Sequence, residues 1–352
     1  MTWHPLIEAA PSRSEPLRWD SIPFGKVFGQ HLAITHFTNG EWQQPRIQPF
    51  STLSLHPGTS ALHYGQSLFE GIKAYQRPNG LRFVFRAKDH WKRLNISAIR
   101  LAMPEIPYEL FAEMLRTLLT LESDIFPPDV HHALYIRPLY FAADPWLGVR
   151  PSETYIFLIY VTPVGPYYTG EVNAYVETEM SRAAPGGTGS VKMAGNYAAA
   201  MLSGKKAQQH GCQVSLWLDP LTHEYVEEFS TMNVFVVLRG PRLITPPLER
   251  GTILPGVTRD TILHLARMLK ISAEERDISI HEITEGIVHG EVVELFGSGT
   301  AATVMPIRSL YYGGKRWQLP PETPIAHKLK SAYYGLLTGE IPAPNSEWIW
   351  QI

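Results

Sequence analysis

The sequence predicts a mixed α/β chain, of the α+β kind, that folds into two domains. Its 352 residues are a little over twice a usual domain length of roughly 150 residues. Strand and helix patterns follow one another without the regular alternation of a doubly wound sheet. A stretch rich in proline, glycine and tyrosine at 164–170 is typical of a linker. We therefore expect a smaller domain at 1–163 and a larger one at 171–352, joined by the loop 164–170.

In the first domain, turn residues between apolar stretches predict two hairpins. One is centred on Asn39-Gly40, a dipeptide that strongly favours a two-residue hairpin turn. Apolar residues three and four positions apart predict helices, most clearly between Tyr108 and Ser123. The expected elements are hairpins at 31–47 and 71–85, helices at 88–103 and 108–123, and strands at 133–141 and 155–162.

The second domain contains a glycine-rich segment, Ala184–Ser190, followed by a helical pattern that Gly211 is well placed to end. At the far end, Thr323 and Pro324 are typical of the first residues of a helix. The expected helices are 194–210, 258–270 and 324–337, and the expected strands are 172–178, 214–218, 224–229, 234–238, 291–296 and 304–307.

Composition excludes several classes of protein. The chain has 31 Lys and Arg against 33 Asp and Glu, so we expect no nucleic-acid partner, which would favour a basic excess. The single cysteine, Cys212, rules out an intramolecular disulfide. The 14 histidines show no metal-binding spacing on a helix, and we expect no metal. The longest apolar run, 154–162, is too short to span a membrane. We expect a cytoplasmic protein without membrane association.

Two segments of the second domain are suited to a phosphate group. Pro255-Gly256-Val257-Thr258 opens a helix, where backbone N–H groups favour an anion. Gly297-Ser298-Gly299-Thr300 is a tight turn that presents further N–H groups and hydroxyls. Lys192 follows a glycine-rich segment that lacks the Walker and dinucleotide patterns. A lysine beside phosphate-binding turns suggests pyridoxal 5′-phosphate, whose aldehyde reacts with amines.

Seven segments, in the order of the family, resemble branched-chain amino acid aminotransferases. They are HYGQSLFEGIKA at 63–74, HWKRL at 90–94, LYIRP at 134–138, SVKMAGNY at 190–197, EFSTMN at 228–233, LPGVTR at 254–259 and FGSGTA at 296–301. The resemblance covers roughly residues 24 to 310. It implies fold type IV of the pyridoxal-phosphate enzymes, a homodimer, and a cofactor bound between two domains. The implied reaction exchanges L-leucine, L-isoleucine or L-valine and 2-oxoglutarate for branched 2-oxo acids and L-glutamate.

The resemblance also implies which residues bind the cofactor. Lys192 would bind its aldehyde and afterwards move the proton at the substrate Cα. Glu228 would face the ring nitrogen, whereas Glu227, its neighbour on a strand, would point to the other face. The remaining cofactor contacts implied are Arg93, Val257, Thr258 and Thr300 to the phosphate and Tyr197 to the phenolic oxygen.

For the substrate, the resemblance implies an aromatic pocket and two carboxylate sites. Arg137 would bind the second carboxylate of glutamate, so that one pocket takes either an apolar chain or an acidic one. Tyr64 would reach into the pocket of the partner subunit. The other substrate contacts implied are Phe69, Tyr135, Thr231 and the turn of Thr300 and Ala301.

Other readings of the sequence remain open. A D-amino acid aminotransferase or an aminodeoxychorismate lyase would share the fold type and differ near Tyr135 and Arg137. A non-catalytic protein that binds a phosphate ligand is a third alternative. Some animal relatives carry a Cys-x-x-Cys redox switch after the threonine-alanine turn, where this chain has Ala302 and Met305. We therefore expect no dithiol regulation.

Overall fold

The computed structural model describes residues 3–11, 13, 17–165 and 170–352, so that most of the expected linker, 166–169, lies outside the described residues. Contacts divide the chain into two compact units. Unit 1 comprises Met1–Tyr167, Lys192–Gly195 and Leu336–Ile352, and unit 2 comprises Tyr168–Val191 and Asn196–Gly335. The ranges expected from sequence put 192–195 and 336–352 in the second domain. Both segments belong to unit 1 because their backbones bond to it.

Unit 1 is built on one mixed sheet that is antiparallel apart from the pairing of its first strand. Its described strands are β1 (Leu6–Ile7), β2 (His31–Thr38), β3 (Glu41–Trp42), β4 (Arg46–Pro49), β5 (Ser67–Phe69), β6 (Ile72–Gln76), β7 (Arg82–Phe85), β8 (Ala133–Ala142), β9 (Tyr155–Val164) and β19 (Ile349–Gln351). They lie in the order β1-β4-β2-β9-β8-β6-β7-β19, with β3 on β2 and β5 on β8. The last of these strands in the chain thus completes the edge beside β7.

The sequence patterns of the first domain are largely confirmed. Asn39 and Gly40 both have positive φ, of 56° and 80°, as the expected hairpin turn requires. The helices are α1 (Ser60–Tyr64), α2 (Ala87–Arg100) and α3 (Tyr108–Leu121). The apolar face of α3 is at most 1% exposed and packs into the core of unit 1; it consists of Leu110, Phe111, Met114, Leu115, Leu118 and Leu119. The apolar residues whose spacing predicted this helix are therefore the residues that it buries.

Unit 2 has a second mixed sheet. Its described strands are β10 (Val172–Glu177), β11 (Val214–Leu218), β12 (Val226–Phe229), β13 (Met232–Leu238), β14 (Arg242–Thr245), β15 (Ser272–Glu275), β16 (Val292–Gly299), β17 (Thr303–Tyr312) and β18 (Lys315–Gln318). Six of them, β12-β11-β10-β17-β16-β13, close into a ring because β12 also pairs with β13. Closure leaves no free edge among these six strands.

The helices of unit 2 are mostly those expected. They are α4 (Ala194–Ala199), α5 (Met201–Gln209), α6 (Val257–Met268), α7 (Ile280–His289) and α8 (Pro324–Thr338); α4 begins in the unit 1 segment and the last turn of α8 also belongs to unit 1. The single helix expected at 194–210 is two helices, because the Ala200 N–H bonds to Tyr197, three residues back, and the turn tightens. In the described ranges, we find no helix with the length and apolarity that a membrane crossing needs.

Candidate active site

Lys192 belongs to unit 1, where its backbone is fixed from two sides. The Phe69 N–H donates to the Lys192 carbonyl at 3.1 Å, and the Lys192 N–H donates to Ser97 Oγ at 3.1 Å. Beside this pair, Leu68 and Met193 form an isolated antiparallel bridge. The Lys192 Nζ lies 5.1 Å from the centroid of the Phe69 ring. The lysine is therefore held by its backbone while its half-buried side chain rests over an aromatic face.

The glycine-rich segment before Lys192 is held together by one amide side chain. In unit 2, the Thr188 hydroxyl donates to Asn196 Oδ1 at 2.8 Å. The Asn196 amide donates in turn to the carbonyls of Thr188, at 2.8 Å, and of Val191, at 2.9 Å. A Cβ at Gly189 would lie 2.3 Å from the Thr252 carbonyl oxygen, so that this position admits only glycine. The turn is thus a closed structure rather than a loose loop.

Phe69 also contacts Arg137, whose guanidinium carbon lies 4.6 Å from the ring centroid. Arg137 Nη2 donates to the Tyr135 hydroxyl at 3.3 Å. The two residues lie two apart on β8, and side chains at that spacing share one face of a strand. The Tyr135 hydroxyl packs so closely on Gly71 that a Cβ there would be 1.9 Å from it. Lys192, Phe69, Tyr135 and Arg137 therefore form one connected cluster of unit 1.

Arg93, on α2, is clamped by a buried glutamate. Glu70 has no exposed surface, and it accepts from Arg93 Nε at 2.7 Å and from Nη2 at 2.9 Å. His90 Nδ1 lies 2.8 Å from the same carboxylate. Burial alone would raise the pKa of Glu70, but the Arg93 and His90 charges and hydrogen bonds hold that pKa well below its usual range. Burial lowers the pKa of His90, against the effect of the Glu70 carboxylate, which raises it.

The hydroxyl of Ser97 connects Arg93 with Lys192. It donates to the Arg93 carbonyl at 3.0 Å and accepts the Lys192 N–H. Tyr64 has its contacts elsewhere in unit 1, since its hydroxyl accepts from the Gly148 N–H at 2.9 Å and its side chain is exposed. The structure of unit 1 therefore brings together five of the residues expected from sequence and leaves Tyr64 in another region.

In unit 2, the adjacent residues Glu227 and Glu228 have different partners. Glu228 accepts from the Leu254 N–H at 2.5 Å and lies 3.5 Å from Arg182 Nε. Glu227 accepts from the Thr252 hydroxyl at 2.5 Å, and its other oxygen is buried without a hydrogen bond in the described part of the chain. Burial raises the pKa of Glu227 to about 7. The Arg182 guanidinium acts on both carboxylates, but the ion pair that the structure shows is the one with Glu228.

The helix α6 begins without a side-chain cap, because its N-cap residue is Gly256. By contrast, α7 is capped by Ser279, which accepts from the Glu282 N–H at 2.9 Å. Val257 and Thr258 form the first turn of α6, directly after Gly256. An uncapped helix N-terminus is suited to a phosphate.

The turn after β16 is the other phosphate-binding candidate. Ser298 is buried, and its hydroxyl has no hydrogen-bond partner within the described ranges. Next to it, a Cβ at Gly299 would lie 3.2 Å from the Thr231 carbonyl, so that Thr231 adjoins the turn of Thr300 and Ala301. An orphaned hydroxyl and a close-fitting glycine beside backbone donors fit the phosphate of the expected cofactor. Tyr197 is half-buried on α4, five residues after Lys192.

Motif matching alone did not identify several residues that hold this site together. They are Glu70, His90, Ser97, Arg182 and Asn196. Glu70, His90 and Asn196 lie inside segments that resemble the family, at 63–74, 90–94 and 190–197. A glutamate within such a segment is a signal that could have identified Glu70 as the partner of Arg93. Arg182 and Ser97 lie in no motif, and nothing in the sequence pairs them with Glu228 and Lys192.

Among known proteins, the family model of class IV amino-transferases matches residues 67–310. The branched-chain-amino-acid transaminase 1 of Bacillus subtilis (strain 168) is 43% identical over 300 residues, which are 84% of this chain and 84% of that protein.

Solved structures give the same result. The crystal structure of the Escherichia coli branched-chain amino acid aminotransferase matches with a TM-score of 0.75 at 31% identity, over 92% of this chain and 99% of that one. The T.th. branched-chain amino acid aminotransferase matches with a TM-score of 0.73 at 25% identity, over 92% and 99%. Its structures include one with pyridoxamine 5′-phosphate and one with N-(5′-phosphopyridoxyl)-L-glutamate.

Proposed function

Since this chain belongs to the class IV aminotransferase family, and within it to the branched-chain amino acid aminotransferases, we propose what each of its residues does in the reaction. The expected fold type IV architecture is confirmed by the likeness to the solved structures. The enzyme transaminates L-leucine, L-isoleucine and L-valine with 2-oxoglutarate and uses pyridoxal 5′-phosphate. When bound, this cofactor supplies an amine-reactive aldehyde and a ring that accepts electron density from the substrate Cα.

Lys192 is proposed to bind the cofactor aldehyde through Nζ and, once released, to carry the proton at the substrate Cα. The support is the pair of backbone hydrogen bonds from Phe69 and to Ser97, which fix the start of a flexible side chain. The side chain beyond this fixed backbone is a flexible four-carbon stem that ends in the amine. Such preorganisation is what a proton-transfer group requires.

Glu228 is proposed to face the ring nitrogen as a carboxylate and to keep that nitrogen protonated. Arg182, 3.5 Å away, and the Leu254 N–H favour its charged form. Glu227 is unsuited to this role because its raised pKa leaves it partly protonated near neutral pH. Tyr197 is proposed to donate to the phenolic oxygen, a role supported by its spacing from Lys192.

Two separate parts of the chain are proposed to bind phosphate. In unit 1, Glu70 accepts from Nε and Nη2 of Arg93 and so fixes the orientation of the guanidinium that we propose for the phosphate. In unit 2, the first turn of α6 at Val257 and Thr258 and the turn at Thr300 are proposed to supply N–H groups and hydroxyls. The support for this assignment is Gly256, which precedes the turn, packs against Asn233 and has no side chain to occupy the helix N-terminus.

For the substrate, we propose that Arg137 serves the second carboxylate of glutamate and of 2-oxoglutarate. Its guanidinium lies against Phe69 and bonds to Tyr135, which holds the charged group in place, and its methylene stem is the part that we propose to contact leucine. Tyr135 and the N–H groups at Thr300 and Ala301 are proposed to hold the α-carboxylate, with Thr231 beside them.

A homodimer is the oligomeric state that we propose. Unit 1 exposes an apolar patch that a monomer would leave in water, and Leu147 and Val149 are 66% and 89% exposed. The patch consists of Leu62, Tyr64, Trp146, Leu147 and Val149. Its inclusion of Tyr64 supports the expected reach of that residue toward a second subunit. The cytoplasmic location stays a prediction.

The observation that carries this residue-level proposal is the cluster in which Phe69 touches both Lys192 and Arg137. A coupled assay with L-leucine, L-isoleucine, L-valine and D-alanine, each with 2-oxoglutarate, tests it. We expect turnover of the three L-amino acids, no turnover of D-alanine, and no release of pyruvate from aminodeoxychorismate. Activity confined to D-alanine or to the chorismate-derived substrate would contradict the proposal. Sedimentation of the wild type and of Leu147→Ser tests the dimer.

A further inference from the structure

Asn233 connects Glu228 with the segment that begins α6. Its Nδ2 donates to the Leu254 carbonyl at 2.9 Å and lies 3.4 Å from Glu228 Oε1. The Leu254 N–H donates to the same Glu228 oxygen at 2.5 Å. One carboxylate oxygen, one side-chain amide and one backbone peptide therefore form a closed triangle, and both residues with side chains in it are buried.

The strand register explains why these groups meet. Glu228 on β12 pairs with Asn233 on β13, and Asn233 pairs with Ser298 on β16. Directly paired residues of antiparallel strands project from the same face of the sheet. Glu228, Asn233 and Ser298 therefore form a polar row across three strands of the closed ring. We assign Glu228 to the ring nitrogen of the cofactor and the turn next to Ser298 to its phosphate. Asn233 lies between these two members of the row.

The Asn233 side chain also packs closely against Gly256, the residue that precedes α6. A Cβ at Gly256 would lie 2.0 Å from Asn233 Oδ1. The amide thus meets the α6 N-terminus with its oxygen side and the Glu228 carboxylate with its nitrogen side. Because a planar amide is rigid, this arrangement fixes the distance from the carboxylate to the first turn of α6.

We propose that Asn233 is a positioning residue that sets the spacing between the ring-nitrogen carboxylate and the phosphate-binding helix. The proposal rests on the proposed function, in which Glu228 and the first turn of α6 contact opposite ends of one rigid cofactor. A rigid ligand binds well only where both of its contacts are held at the matching separation. Asn233 acts through Glu228 and Leu254 and needs no contact with the cofactor itself.

Asn233→Asp and Asn233→Ala test this inference, with Asn173→Asp as the control. Asn173 is an amide of the same sheet whose oxygen accepts from the Ser309 hydroxyl at 2.6 Å, and the site does not use it. In Asn233→Asp, a second carboxylate faces both Glu228 and the Leu254 carbonyl. We expect the dissociation constant of pyridoxal 5′-phosphate to rise at least about 10-fold, the loss of one hydrogen bond to a charged group. We also expect the visible absorbance of the bound cofactor to shift.

Asn233→Ala removes the donor without adding charge, and we expect a rise of about 3- to 10-fold in the dissociation constant. Circular dichroism and urea unfolding establish that each variant folds; if Asn233→Asp does not, the alanine variant decides. The inference would be overturned if both variants had dissociation constants within about two-fold of that of Asn173→Asp and cofactor spectra unchanged from it. A wild type that shows no cofactor absorbance would instead overturn the proposed function.

Discussion

Lys192 and Phe69 are joined twice, by a backbone hydrogen bond of 3.1 Å and by an ammonium 5.1 Å from the ring centroid. Arg137 contacts the same ring at 4.6 Å. Two cations therefore share one aromatic side chain, and a shift of the ring displaces both. Phe69 is thus a structural connection between the residue proposed for proton transfer and the residue proposed for the second carboxylate.

Lys192→Ala is expected to lower transamination at least about 10³-fold, because it removes the amine that we propose to carry the proton at the substrate Cα. The absorbance that depends on the bond between Lys192 and the cofactor aldehyde is expected to disappear, and any cofactor that the phosphate contacts retain should show the absorbance of the free aldehyde. Lys205→Ala, at an exposed position of α5, is the matched control and should behave as the wild type. Turnover within about 10-fold of wild type in the Lys192 variant would show that another residue has this role.

Arg137→Met is expected to separate the two classes of substrate. It should lower kcat/KM for 2-oxoglutarate about 100-fold, the value of a lost charge-assisted pair, and change kcat/KM for the branched 2-oxo acids less than about 3-fold. The control is Arg116→Met, since Arg116 also stacks on an aromatic ring, that of Trp350 at 4.6 Å. Equal losses for both substrate classes would place Arg137 outside the second-carboxylate site.

Glu70→Gln is expected to weaken cofactor binding through Arg93. The substitution leaves the buried Arg93 guanidinium with a neutral partner. Breaking a buried ion pair by removing one of its charges destabilises a protein by roughly 3–5 kcal/mol. We expect the dissociation constant of pyridoxal 5′-phosphate to rise at least about 10-fold. Glu122→Gln is the control, because Glu122 is an equally buried glutamate of unit 1 that bonds to His31 at 2.9 Å and forms no ion pair with an arginine in the described ranges. Equal cofactor retention in the two variants would argue against the role of Glu70.

Glu227 is expected to make stability depend on pH. Its pKa is raised by burial to about 7 in the folded chain, from about 4.5 when exposed. Between these values the folded state keeps a proton that the unfolded state has lost. The contribution is therefore complete below about pH 4.5 and is lost as pH rises to 7, a change of roughly 3 kcal/mol.

Calorimetry at about pH 5 and pH 8 with saturating cofactor checks this expectation. The wild type should lose more stability across that range than Glu227→Gln, whose amide does not titrate. Thr252→Val, which removes the hydroxyl that lowers the Glu227 pKa, should extend the loss to higher pH. Parallel pH profiles of wild type and Glu227→Gln would be inconsistent with a protonated Glu227.

Cys212 is expected to be inert in the folded enzyme. It is buried, and burial raises the pKa of its thiol despite the Arg316 guanidinium nearby. A disulfide reagent should therefore label no thiol in the native protein and one in urea, and Cys212→Ser should keep full activity. Inactivation by a mild oxidant that a thiol reductant reverses would contradict the expected lack of redox regulation.

Local chemistry explains what the sequence alone could predict. The Asn39-Gly40 turn and the apolar face of α3 depend only on neighbouring residues, and both are present. The break at Ala200 has no such signal, because alanine, methionine and leucine all favour a helix and one tightened hydrogen bond decides. The strand β15, Ser272–Glu275, was missed because its four exposed residues show no apolar alternation.

In the site too, features that depend on neighbouring residues could be predicted, whereas pairings between distant residues could not. The proposed cofactor and substrate residues lie in contiguous segments, which is why resemblance identified them. The ion pair of Arg182 with Glu228 joins residues 46 positions apart, and the bond from Lys192 to Ser97 spans 95. Neither Arg182 nor Ser97 belongs to a recognisable pattern. Pairings over such distances are properties of the folded chain, and a single sequence does not reveal them.

The position of β19 has a consequence for biosynthesis. Residues 349–351 complete the edge beside β7, and the ribosome makes them only after the whole of unit 2. Unit 2 can therefore close its ring during translation, whereas the sheet of unit 1 waits with an unpaired edge at β7. An unpaired edge is a site of misassociation between nascent chains. The order of synthesis thus leaves β7 without its edge partner until the last strand of the chain has been made.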